Sequence, residues 1–126
     1  MVQSMRTVRI LSISNDQHLA RSRQLVLESQ EFDVESFTSQ TALMESQGRS
    51  FDVAIVDHTV PDDEKRMLVD ELRRLCPGIK IIGLLQFGEV PNAAWDCACR
   101  IDDGPVALLE AVRSVLPHFA DAASER

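Results

Sequence analysis

Phe51-Asp52-Val53-Ala54-Ile55-Val56-Asp57-His58-Thr59-Val60-Pro61 is the stretch on which the fold turns. An unbroken apolar run from Val53 to Val56 stops at an aspartate, and a proline follows four residues later. Short apolar runs bounded by turn residues mark strands covered on both faces, the kind found in parallel sheets. In an open α/β sheet, chemistry gathers at the carboxyl ends of the strands. Asp57 thus has two readings: the start of a loop, where aspartate is common, or a carboxylate presented at a site.

The flanking segments extend the pattern in both directions. Val8 to Ile13 reads as a first strand, and Ser14-Asn15-Asp16 supplies capping side chains for a helix from Gln17 to Ser29. Leu19, Leu25, Val26 and Leu27 are its apolar content, with Arg21 and Arg23 placed on the solvated side. Phe32 to Phe37 alternates as a strand near a sheet edge. A short helix from Thr41 to Gln47 closes at Gly48. Beyond Pro61, the acidic Asp62-Asp63-Glu64 opens a helix that reaches Cys76 and stops at Pro77-Gly78.

Ile79 to Leu85 is a fourth, buried-type strand. Gln86 to Trp95 is irregular, Cys97 to Ile101 is a short fifth strand, and Asp102-Asp103-Gly104-Pro105 starts a last helix that Pro117 ends. Five strands with helices between them predict a doubly wound, five-stranded parallel α/β sheet of flavodoxin-like type, with helices on both faces. The expected layout is a leader over 1–7, one domain over 8–117 and a tail or linker over 118–126.

Composition narrows the function. The chain has 126 residues, with 13 Lys and Arg against 20 Asp and Glu, for a net charge of −7. That balance argues against nucleic-acid binding or an anionic membrane surface, both of which need clustered positive charge. No apolar run has the length of a membrane helix and the start is too polar for a signal peptide, so the expected compartment is the cytoplasm. Cys97 and Cys99 do not form a C-x-x-C pair, and with Cys76 they read as small packing residues. His58 is read as a solvated loop side chain. Phe87 and Trp95 are read as core filling, and Arg73 and Arg74 as solvated.

The F-D-V-x-I-x-D strand with Pro61 four residues beyond Asp57, and the closing Asp-Asp-Gly-Pro-Val-Ala-Leu-Leu-Glu-Ala-Val of 102–112, resemble the receiver domains of bacterial response regulators, the CheY-like family. The resemblance spans Val8 to Leu116. It implies that Asp57 is the phosphoacceptor of a two-component phosphorelay, receiving a phosphoryl group from a kinase histidine. It also implies Mg²⁺ beside that carboxylate, held in the family by an acidic pair after the first strand. A Thr or Ser after the fourth strand and a Lys after the fifth complete the family's pocket.

Here the matched positions differ. Ser14 and Asn15 stand where the acidic pair belongs, Leu85 where the hydroxyl belongs and Ile101 where the lysine belongs. Asp16, the Thr59 carbonyl and Asp57 are the remaining candidate Mg²⁺ ligands, so weak Mg²⁺ binding is expected. Gln86 and Arg100 are the nearest polar neighbours of the lost hydroxyl and lysine. The helix between the fourth and fifth strands is expected to be shortened or lost.

The leading expectation is therefore a degenerate, non-enzymatic receiver: a protein-interaction module with weak or uncoupled phosphorylation. Its partners would be a histidine kinase or another signalling protein, with a homodimer also open. A fully phosphorylatable receiver using Asp16 and Arg100 as substitutes is the alternative. A flavodoxin-like cofactor binder is the other, although Ser14-Asn15-Asp16-Gln17 has no glycine for a phosphate to approach.

Overall fold

The computed structural model describes residues 7–92 and 94–116. The expected leader, apart from Thr7, and the expected tail and Pro117 stop lie outside the described residues. Within them the chain runs β1 (Arg9–Ile13), α1 (Gln17–Glu28), β2 (Asp33–Phe37), α2 (Ser39–Ser46), β3 (Val53–Val56), α3 (Asp62–Leu75), β4 (Lys80–Leu85), β5 (Cys97–Arg100), a 3-10 turn (Ile101–Asp103) and α4 (Gly104–Ser114).

The five strands form one sheet in the order β2-β1-β3-β4-β5, all pairs parallel. β3 lies in the middle, and every residue from Val53 to Val56 is fully buried. Alternation along the strands divides the core in two. Ile10, Val53, Ile55 and Ile82 pack with Leu27 of α1 and Leu108 and Val112 of α4. Leu11, Ile13, Ala54, Val56 and Ile81 pack with Ala42 of α2 and Leu68 and Leu72 of α3. An apolar strand run is the signature of a sheet wetted on neither face, and these two clusters supply the covers.

Local chemistry sets the helix ends. The Asp16 carboxylate accepts from the backbone N–H groups of His18 and Leu19 and so caps α1. Gly48, just past α2, has φ 74°, the left-handed conformation that closes helices. In α1 only Leu27 is fully buried, and Leu25 is 56% exposed. Leu25, Val26 and Leu27 are consecutive and fan round the helix, so they cannot share one face.

Between β4 and β5 no helix forms among the described residues, 86–92 and 94–96. Phe87, expected in the core, is 89% exposed, because a turn with Glu89 N–H bonded to the Gln86 carbonyl carries it outward. Trp95 does pack inward. Its ring lies on the backbone of Gly83 so closely that a Cβ there would come within 2.2 Å of it. Lys65 of α3, almost fully buried, sets its ammonium 5.7 Å from the ring centre and 3.6 Å from Glu89. Arg73, expected to be solvated, fixes the loop through the Ala94 carbonyl and Asp96. One indole and two basic side chains thus hold the segment where a helix would otherwise lie.

Ile101, expected to end the fifth strand, instead begins the 3-10 turn. Cys97 and Cys99 share one face of β5 and pack in the α4-side cluster. Burial is the largest influence raising the Cys99 thiol above its ordinary value, with Cys97 and Asp103 adding to it. A protonated, enclosed thiol suits packing rather than chemistry.

Candidate functional site

The site is built by strand register. Ile13 pairs with Val56 across β1 and β3, so Ser14 and Asp57 leave the sheet side by side. The Asp57 N–H donates to the Ile13 carbonyl at 3.0 Å. The Val60 N–H returns to the Asp57 carbonyl at 3.2 Å, a turn that ends at Pro61, the cap residue of α3. The apolar run, the aspartate and the proline are therefore consecutive parts of one strand-turn-helix unit. The Asp57 side chain is wholly buried.

A buried carboxylate needs partners. One Asp57 oxygen takes a hydrogen bond from Arg23 Nη1 at 2.5 Å, and the other takes one from the Thr59 backbone N–H. Arg23 is itself largely enclosed, with its side chain 12% exposed. This overturns the solvated placement expected for Arg23. The sequence did carry the signal: Leu19, Arg23 and Leu27 are spaced four apart, which places them on one helical stripe, and that stripe faces the sheet. Arg21 is exposed as expected.

Burial, the largest influence, would push the Asp57 carboxyl up. The Thr59 N–H, the Thr59 hydroxyl and the Arg23 guanidinium together outweigh it and hold the carboxyl below its ordinary value of 3.8. Asp57 is thus an ionised carboxylate held in an internal ion pair. His58 is not the solvated histidine expected either. Its side chain is 11% exposed, and Nδ1 lies 3.4 Å from an Asp57 oxygen without a hydrogen-bond partner.

The positions after β1 have other work. Ser14 is buried; its hydroxyl donates to the Asp16 carbonyl at 3.2 Å and stands 3.4 Å from the Thr59 hydroxyl oxygen. The Asn15 N–H donates to the Thr59 hydroxyl oxygen at 2.8 Å, and its side chain bonds Ser39 at the start of α2. The Asp16 carboxylate caps α1. Thr59 serves Asp57 through its N–H and hydroxyl. Among the described residues no three His, Cys, Asp or Glu side chains gather where a metal ion could sit. With Asp16 turned to its helix and a guanidinium on Asp57, these donors do not fit Mg²⁺, which wants several oxygen ligands.

On the far side Leu85 is buried and Gln86 is exposed. Ile101 is 37% exposed, and Arg100, also exposed, ends β5. The structure brings together Asp57, Ser14, Asn15 and Thr59. The cation it adds is Arg23 from α1, neither Arg100 nor a residue at the Ile101 position.

No family model and no curated protein matches the chain. Solved structures do. A CheY-like response regulator receiver domain protein from Methanospirillum hungatei superposes with a TM-score of 0.79 at 25% identity, covering 93% of this chain and 99% of that one. The chemotaxis response regulator CheY4 of Vibrio cholerae gives 0.77 at 20% identity, covering 88% and 100%. A chain from the complex of histidine kinase ThkA with response regulator protein TrrA gives 0.75 at 19%, covering 87% and 99%. The chain has the fold of CheY-like response-regulator receiver domains.

Proposed function

We propose that this chain is a receiver-type module of two-component signalling that acts through protein contacts, with phosphoryl transfer to Asp57 weak or uncoupled from any switch. The observation that carries this reading is the Arg23–Asp57 pair, which encloses the acceptor carboxylate and supplies its counter-charge from within the fold. A carboxylate attacks a phosphoryl group only when one oxygen is free and the transferred oxygens are neutralised. Here one oxygen faces the guanidinium and the other the Thr59 N–H. Leu85 and Ile101 offer neither a hydroxyl nor an ammonium to a phosphoryl group, so no group is drawn in to move a neighbouring element.

The partner class is a histidine kinase or another signalling protein, by analogy with the kinase–regulator complex among the fold's relatives. A second copy of the chain is the other candidate. The test is incubation with acetyl phosphate and Mg²⁺, followed by intact-mass measurement beside Asp57→Asn. The expected result is little or no phosphoryl adduct. High occupancy that vanishes in Asp57→Asn, with a matching change in amide chemical shifts, would overturn the proposal.

A further inference from the structure

A second feature lies beside the Asp57 pair, on the α1–α4 side of the sheet. There the carboxyl edges of β4 and β5 open into a cleft of about 380 Å³. Its walls are apolar: Leu19 and Val26 of α1, Leu84 of β4 and Leu108 of α4. Its polar lining is limited, with Arg23, His58 and Arg100 as the charged or titratable residues and Ser22 beside them. An apolar chamber of a few hundred cubic ångströms with a few polar groups is the usual form of a small-molecule site.

We propose that this cleft binds a small organic acid, an apolar body carrying a single carboxylate. A guanidinium has five N–H donors in a planar fork suited to carboxylates. Among the described residues Arg23 gives one of them, on Nη1, to Asp57. The others are left to the cleft that Arg23 lines. His58 also lines the cleft, with its Nδ1 turned to an Asp57 oxygen at 3.4 Å, so it shapes the polar wall beside Arg23. Arg100, exposed at the end of β5, is the other basic residue among those lining the cleft. Asp57 already offsets the charge of Arg23, so one negative charge on the ligand matches this wall better than two.

The assignment is independent of whether Asp57 is ever phosphorylated. It also sets a coupling: ligand and Asp57 share Arg23, so neutralising Asp57 releases the guanidinium to the ligand.

The test is an amide-resolved NMR titration of the whole protein with hydrocinnamate, an aromatic ring on a short chain ending in a carboxylate, and with its neutral amide. Saturable shifts centred on α1, α4 and the end of β5 are expected, with the acid bound about tenfold tighter than the amide. Arg100→Gln, which leaves the Arg23–Asp57 pair intact, should weaken acid binding. Asp57→Asn should strengthen it. Val26→Trp, which fills the cleft, should abolish it. Absence of saturable shifts in the unmodified protein overturns the proposal, as does equal binding of acid and amide. Acid binding unaffected by Val26→Trp or weakened by Asp57→Asn overturns it too.

Discussion

Thr59 and Arg23 together hold Asp57 in its ionised state, and removing Arg23 has a defined cost. Arg23→Met keeps most of the side-chain volume but leaves a buried carboxylate with the Thr59 donors alone. Breaking a buried pair from one side typically costs about 3–5 kcal/mol, because the remaining charge stays desolvated. Chemical denaturation of Arg23→Met should show a loss near the lower end of that range, since Thr59 still donates. Adding Asp57→Asn should recover much of it, because a neutral amide needs no counter-ion. Acid unfolding reports the same pair. The folded carboxyl sits below its ordinary value, so the pair's contribution is fully present above about pH 4 and fades as pH falls through the folded value. Arg23→Met removes two of the four influences that lower it, its charge and its hydrogen bond, and should shift the acid limb to higher pH. If the acid limb does not move, Arg23 adds nothing to what Thr59 does in holding the carboxyl ionised.

The β4–β5 connection forms no helix among the described residues, and Trp95 is its keystone. Its ring occupies the space a Gly83 side chain would need, so the fit is a pairing of the largest residue with the smallest. Gly83→Ala forces ring and strand apart and should cost about 1–3 kcal/mol by overpacking. Trp95→Ala is destabilising for the opposite reason, a lost cover over the sheet. The two losses should not add in the double variant, because removing the ring frees the space the methyl group needs. Additive losses in thermal denaturation would mean the contact is not what couples them. The strands and the other helices were legible because apolar runs, capping residues and prolines act locally. This loop was legible only as a gap too short for a full helix. That Trp95 packs while Phe87 is exposed depends on Gly83, on a neighbouring strand, and no periodicity reports it. Arg23 was misplaced for a related reason: charge suggested solvent, while the four-residue spacing with Leu19 and Leu27 pointed to the sheet.

At the scale of the whole molecule, the chain has the receiver fold, and the cation beside its buried carboxylate comes from within that fold. Asp57, Ser14 and Thr59 meet at the carboxyl edge of β1 and β3, and the positive charge on Asp57 belongs to Arg23 of α1. A ligand that binds only the folded state stabilises it by an amount that grows with concentration over Kd, about 2.7 kcal/mol at a hundredfold excess. A receiver that used Mg²⁺ would therefore melt at higher temperature in millimolar Mg²⁺ than in chelator. Here the melting temperature should be the same in both, because Asp16 is committed to α1 and Asp57 to Arg23. Calcium at equal ionic strength controls for screening, since surface charges respond to either divalent ion. The Asp57→Asn variant separates the remaining cases. A Mg²⁺-specific rise in melting temperature that disappears in Asp57→Asn would place the metal on that carboxylate and displace Arg23 from its role. A rise that persists in Asp57→Asn would come from the acidic surface of a chain with net charge −7 and leave the internal pair intact.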